Sequence, residues 1–340
     1  MAKTETQFNL RVPLELKEQI DKSAKQSGRS INAEAVLRLN ESYLFDQRTS
    51  SENLKALEAI LMRSAPSSRC SVIAERLNII LDEINAMPIF PKLQPARIAK
   101  AIGEEYAENV ENWFAGKQEP SFKQLENIAA YLGVNSDWLL FGDGKKYQFG
   151  EHRVPESAVE GVTWLLDLDK AERPTHIYFI RQKSKRGELI IIKKYNDWRC
   201  TIHVTPYVVS EEVGSGGESS LAHLFVIWHL LYKIYVKTGP TIKSFILYPD
   251  DYKQLLGENN HPLYPLAHKY GEEWWEDIWD KNMIDTGNYW SGWIELCQRM
   301  HKVVEHKSSL AKINEQIASE EHPFIKEAIN LFNSTQVLKP

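Results

Sequence analysis

Residues 7–43 read QFNLRVPLELKEQIDKSAKQSGRSINAEAVLRLNESY, and this stretch decides the N-terminal fold. It opens with strict alternation, Gln7, Asn9 and Arg11 on one side and Phe8, Leu10 and Val12 on the other. Period two predicts a strand with one polar and one buried face. Pro13 stops the strand and suits the first turn of a helix. Leu16, Ile20 and Ala24 then share one helix face. Gly28 ends that helix, and Ser30 caps the next, whose apolar stripe is Ile31, Ala35, Leu39 and Tyr43. So short a segment cannot bury a core alone, and a lone strand has two unpaired edges. Both problems vanish if two chains pair their strands antiparallel and interlock their helices. The resulting ribbon carries two copies of Gln7, Asn9 and Arg11. It fits the DNA major groove, where Gln and Asn pair with adenine and Arg with guanine. The plainer alternative is an amphipathic edge strand.

From Thr6 to Tyr43 the chain resembles the ribbon-helix-helix family of the Arc type, because QFNLR and GRSINAE stand at that family's spacing. The resemblance implies that Gln7, Asn9 and Arg11 read bases. It implies that Ser30 and Asn32, at the start of the second helix, hold a phosphate, as helix N-termini do. Arg29, Glu34 and Arg38 match the family's buried charge triad, a structural group.

At 340 residues the chain has room for two or three domains. Net charge is -5, so nucleic-acid binding must come from a local patch, not bulk attraction. Cys70, Cys200 and Cys297 are far apart and unpatterned, which argues for a reducing cytoplasm and against a disulfide framework or a zinc site. No signal peptide is evident, and the longest apolar run, Leu221 to Tyr235, contains His223, His229 and Lys233 and reads as a buried helix. A cytoplasmic, nucleoid-associated protein without membrane, metal or cofactor is expected.

Residues 1–48 therefore form the first expected domain, and 49–70, with DQRTSSEN and SAPSS, a tether. Residues 71–144 read as four helices, punctuated by Pro95, Gly103, Gly116, Pro120 and Gly133, and a closing VNSDWLLFGDG segment. The spacing from Ile98-Ala99 through Trp113 and Gly116 to Trp138-Leu139-Leu140 resembles the helix-turn-helix domain of the Cro and lambda-repressor type. The resemblance implies a recognition helix at about 107–115 that presents Tyr106, Asn109 and Asn112, with Lys117 at the DNA backbone. The chain departs from the pattern at Glu104, Glu105, Glu108 and Glu111, whose charge repels phosphate. The segment is thus either a second DNA contact or an assembly surface.

Residues 145–340 hold eight of the ten tryptophans within the last 180 positions, which means a large core of their own. A polar linker is expected at 145–155. Strands at His176–Arg181, Leu189–Tyr195 and Arg199–Val209 predict an antiparallel meander, followed by a flexible VGSGGES loop and a long helix. The overall class is multidomain and mainly α, with an α+β C-terminal domain that senses a ligand, binds a protein or oligomerises.

Other chemistry lacks its signature. A self-cleaving peptidase needs a serine-lysine pair and a scissile linker, and the one Ala-Gly, Ala115-Gly116, lies inside a domain. The Gly214–Gly217 loop lacks the lysine of a phosphate-binding loop. Trp274, Trp275 and Trp279 read as core rather than as a ligand cage. A non-enzymatic, sequence-specific repressor of bacterial or phage type, a homodimer or higher oligomer on an operator, is the expectation. The rivals are an antitoxin-like or defence-associated protein with a protein partner, and an effector enzyme tethered to DNA.

Overall fold

The computed structural model describes residues 9–46, 69–257 and 260–336. They belong to two units divided between Ser68 and Arg69.

In the first unit, Pro13 takes φ -56° and ψ 146° and opens α1 (Leu14–Ser27). Gly28, at φ 67°, ends it in the left-handed conformation that a residue with a Cβ resists. The Arg29 N–H closes the turn onto the Ala24 carbonyl at 3.0 Å. Two residues later α2 (Ile31–Asp46) begins. Among the described residues of the expected strand, none is in a strand. Gln7 and Phe8 lie outside the described residues, and 9–13 have no regular structure. A strand exists only through a ladder partner, and all five described strands belong to the other unit. The expected tether at 49–70 falls largely outside the described residues.

The second unit begins with five helices, α3 (Arg69–Ala86), α4 (Pro95–Ile102), α5 (Ala107–Phe114), α6 (Phe122–Leu132) and α7 (Ser136–Phe141). Their ends follow local chemistry. Pro95 sits in the first turn of α4, and Gly103 closes it at φ 81°. Ser121 and Gln124 form a reciprocal capping box on α6. Ile73, Leu77, Ile98, Trp113, Leu125 and Leu139 are completely or almost completely buried between these helices.

Residues 145–155, expected as a linker, instead dock and pair. Lys146 forms an ion pair with Glu83 of α3, and the Tyr147 hydroxyl donates to the same carboxylate at 2.8 Å. Both side chains are long and apolar with polar tips, so the polar composition of the segment hides their burial. Strand β1 (Phe149–Glu151) follows directly.

Next come α8 (Ala158–Leu166), β2 (His176–Gln182), β3 (Glu188–Lys194), β4 (Cys200–Val208), α9 (Ser215–Thr238) and β5 (Thr241–Leu247). The sheet order is β1-β4-β3-β2-β5. The antiparallel sheet expected here is mixed. Its central three strands are the anticipated meander, but β1 pairs parallel to β4 and β5 parallel to β2. The cause is the connections: β1-α8-β2 and β4-α9-β5 each return through a helix, which leaves the two strands pointing the same way. Both crossovers move in the same direction along the sheet. The handedness rule then puts both helices on one face, and α8 and α9 do pack together.

Both faces of the sheet are covered. Ile177, Phe179, Leu189 and Ile191 join α8 and α9 in one core. Ile180, Ile190, Ile192, Ile202 and Phe245 join the five N-terminal helices of the unit in another. Such strands read as apolar runs rather than alternations. Helix α9 starts at Ser215, so most of the expected VGSGGES loop is its first turn. This helix is long and apolar enough to cross a membrane, but 67% of its most apolar window is buried inside the unit, as expected of a core helix. The chain ends in α10 (Pro249–Leu255), α11 (Trp274–Asp277), α12 (Trp293–His306), α13 (Ser308–Ala318) and α14 (Phe324–Gln336). Trp228, Trp274, Trp275 and Trp293 are buried together in the α9 core, with Trp274 edge-on to Trp228 at 5.7 Å.

Candidate nucleic-acid interface

The first unit is organised around one carboxylate. Glu34 is 1% exposed. Its Oε1 accepts from Ser23 at 2.7 Å and from Arg38 Nε at 3.1 Å. Its Oε2 accepts from Ser27 at 3.0 Å and from Arg29 at 3.1 Å. Arg38 also donates to the Ser23 hydroxyl at 3.0 Å. The bond from Ser23, then that from Arg29, hold the carboxyl at about 2, well below the ordinary carboxylate range. The cover is thin, made by the partner side chains themselves, and both arginines remain at least half exposed. The expected triad of Arg29, Glu34 and Arg38 is therefore assembled within one chain. Ser23 and Ser27, which the triad's spacing does not single out, complete it. Their signal is present in the sequence: two serines four apart on α1 share the face that meets α2.

The Ser30 hydroxyl accepts from the Ala33 N–H at 3.2 Å, so Ser30 caps α2. Asn32 is exposed in the first turn. Two arginines against one glutamate leave this helix start with a positive balance, which adds to the helix dipole. Asn9 and Arg11 are exposed, whereas the Gln7 position lies outside the described residues.

The apolar side chains of this unit are not covered. Leu14 is 72% exposed, Leu10 and Val36 57%, and Leu16, Ile31 and Leu39 more than 40%. Ala24 is the single buried apolar residue of the unit among those described. Two helices this short leave their apolar faces in water unless something else covers them.

In the second unit, Tyr106 is the exposed N-cap of α5, Asn109 and Asn112 are half-buried on that helix, and Lys117 is exposed beyond it. Asn109 donates to Glu104 at 3.1 Å, and Gln124 of α6 donates to the other oxygen of Glu104 at 2.8 Å. Glu104 is thus a bridge between α5 and α6, not a loose charge. Glu105, Glu108 and Glu111 stay exposed.

A buried polar cluster, which no spacing in the sequence announces, lies under the sheet's helical layer. Lys193 of β3 and Asp167, at the end of α8, are almost wholly shielded and pair at 2.8 Å. The Lys193 ammonium lies 3.9 Å from the centroid of the Trp164 ring. The Tyr195 hydroxyl donates to Asp167 at 2.7 Å. Burial pushes the lysine down to about 8 against the pull of Asp167. Burial would raise Asp167, but the charge of Lys193 and the bonds from Lys170, Lys193 and Tyr195 hold it below its usual range. His152 stacks on Trp164 at 4.2 Å, and burial lowers both it and His203, the latter to about 4. The cluster ties the end of α8 to the sheet.

Residues 2–48 match the family model described as Arc-like DNA binding domain. This N-terminal region is an Arc-like, ribbon-helix-helix DNA-binding domain. No curated protein and no solved structure matches the chain.

Proposed function

We propose that the chain is a sequence-specific DNA-binding transcriptional regulator, a repressor of the bacterial or phage kind, that works as a homodimer or higher oligomer. The observation that carries this reading is the Arc-like domain at residues 2–48. A second copy of the chain covers Leu10, Leu14, Val36 and their neighbours and supplies the ladder partner for residues 8–12. Gln7, Asn9 and Arg11 of both copies then face the major groove and read bases. Ser30 and Asn32, at the positive start of α2, hold a backbone phosphate and set the register.

The α4–α5 pair is a helix-turn-helix that makes a second DNA contact through Tyr106, Asn109, Asn112 and Lys117. What supports this is that α4 and α5 pack directly on one another, with α3 and α6 behind them. The core of this segment continues onto the sheet, so whatever the C-terminal layers bind is mechanically joined to it. A map of DNA occupancy across a host genome tests the reading. Occupancy confined to a few sites sharing one motif is the expected result. Uniform or absent occupancy sinks it.

A further inference from the structure

The turn between β2 and β3 places Lys183, Lys185 and Arg186 within four residues, all exposed, on a chain whose net charge is -5. Its backbone is fixed from within. Arg181, 2% exposed, donates to the carbonyls of Val209 at 2.8 Å, Gln182 at 3.1 Å and Ser184 at 3.3 Å. The guanidinium lies 4.1 Å from the centroid of the Trp290 ring. The Ser210 hydroxyl donates to the Lys185 carbonyl, and the Lys183 N–H donates to Leu247 of β5 at 2.6 Å. Gly187 sits at φ 60°, and a Cβ there would fall 2.6 Å from the Arg181 guanidinium, so only glycine closes this turn. The carbonyls of Gln182, Ser184 and Lys185 are thereby occupied by protein donors, and the turn's three cations are exposed.

Lys183 donates to the Tyr248 hydroxyl at 2.9 Å, and Tyr248 is 59% exposed beside it. The Lys185 ammonium makes no hydrogen bond or ion pair among the described residues. Arg186 lies 3.4 Å from Glu188, which also accepts from Ser184. Glu188 and Glu211 are the acids that act on the buried Arg181. Glu272 also lies within the field of Lys183, so the turn's three exposed cations outnumber the one acid within the turn, Glu188, with Glu211 and Glu272 flanking it.

We propose that Lys183, Lys185, Arg186 and Tyr248 form a phosphate-contacting finger for double-stranded DNA. Cations on a preorganised turn suit a dense line of phosphates, arginine by a two-pronged bond and lysine as a point charge. A tyrosine hydroxyl contacts phosphate oxygens equally well. The finger rests on the reading that the chain is a DNA binder, and adds to it a contact on the second unit independent of the ribbon.

The test is the salt dependence of full-chain binding to a random-sequence duplex. Removing one cation from a phosphate lowers the slope of log K against log salt by about 0.9. The triple variant K183E/K185E/R186E is expected to lose a slope of about two to three, and at least about tenfold in affinity near 0.1 M salt. The charge-keeping variant K183R/K185R/R186K is expected to keep the parent's salt slope. The single change Lys185→Glu breaks no contact within the protein and is expected to melt as the parent does while losing about one in slope. Repeating the series in the N9A/R11A background separates the two sites. If that background, measured on a duplex carrying the bound site beside the random one, keeps the parent's preference between them while the finger variants still lose slope, the ribbon reading fails and the finger stands. If charge reversal changes nothing in either background, the finger is overturned. It is also overturned if duplex RNA of equal length binds the turn better than DNA.

Discussion

Lys193 and Asp167 meet at 2.8 Å with neither side chain reaching water, and the pair joins the third strand of the sheet to the end of α8. Removing one partner strands the other's charge in the core, which costs about 3–5 kcal/mol. Asp167 also sits at φ 47°, a left-handed position that Asn tolerates better than Ala. Asp167→Asn therefore isolates the charge effect, and Asp167→Ala adds backbone strain. Urea unfolding is expected to rank them parent, then Asn, then Ala. Equal stability of parent and Asp167→Asn would show the pair to be idle.

In the first unit the sign of the pH dependence follows from Glu34. Its folded-state carboxyl sits at about 2, against 4.5 for the free group. A depressed carboxylate stabilises above its unfolded pKa and loses that contribution as pH falls through the folded one. The hub of α1 and α2 is therefore intact at pH 5 and above and fails between about 4.5 and 2. A carboxyl-carbon titration of Glu34 in the full chain is expected to show the low midpoint, and Ser23→Ala or Arg38→Ala is expected to raise it. A midpoint near 4.5 in the parent removes Glu34 from its central role.

The Glu34 hub shows what one sequence reveals. Arg29, Glu34 and Arg38 match the triad of the family that the segment resembles, so the triad was legible through that resemblance, while Ser23 and Ser27 are ordinary helix residues until α2 folds against them. Helix ends were legible wherever Gly or Pro fixed them, as at Pro13, Gly28, Gly103 and Gly133. A strand at Ser244–Tyr248 was legible and overlaps β5, but the direction of the outer strands was not, because β1 and β5 are set by crossovers through α8 and α9, and no local period encodes that. The docking of 145–155 was hidden for a similar reason. Lys146 and Tyr147 look solvent-facing until Glu83 is brought up from sixty residues away. Lys183, Lys185 and Arg186 were visible as charges, but their display depends on Arg181, a cation inside a strand whose burial no pattern announced.

Exposure of Leu10, Leu14 and Val36 sets the expectation for assembly. Deleting residues 1–48 is expected to lower the number of chains per particle seen in sedimentation, or to weaken self-association at least about tenfold. The same particle with and without this segment would locate assembly elsewhere.

Specificity should separate from folding on the ribbon. In the sequence Gln7, Asn9 and Arg11 alternate with Phe8, Leu10 and Val12, so alanine at each leaves the apolar set unchanged. Each well-made base contact is worth about 1–3 kcal/mol. Single alanine variants are expected to stay associated and to lose about tenfold or more in preference for the bound site. Unchanged footprints for all three would remove the ribbon from base reading.

The role of α5 turns on Glu104. Its carboxylate accepts from Asn109 and Gln124 at once, so it is held in place between two helices. Glu105, Glu108 and Glu111 remain exposed, so the isolated segment is expected to bind DNA poorly at physiological salt. Once the ribbon has docked, covalent connection to the second unit is expected to supply an effective concentration on the order of millimolar, enough to seat a weak second contact. If α5 reads DNA, Asn112→Ala and Lys117→Ala shorten the full-length footprint and leave assembly alone. Asn109→Ala does the same but also frees Glu104, so it is expected to be the most damaging of the three. If α5 is an assembly surface, none of these changes the footprint, and Glu108→Lys with Glu111→Lys alters self-association instead. A charge swap at Glu108 and Glu111 that tightens DNA binding without changing the sedimenting species decides for DNA, because only a nearby phosphate rewards that reversal.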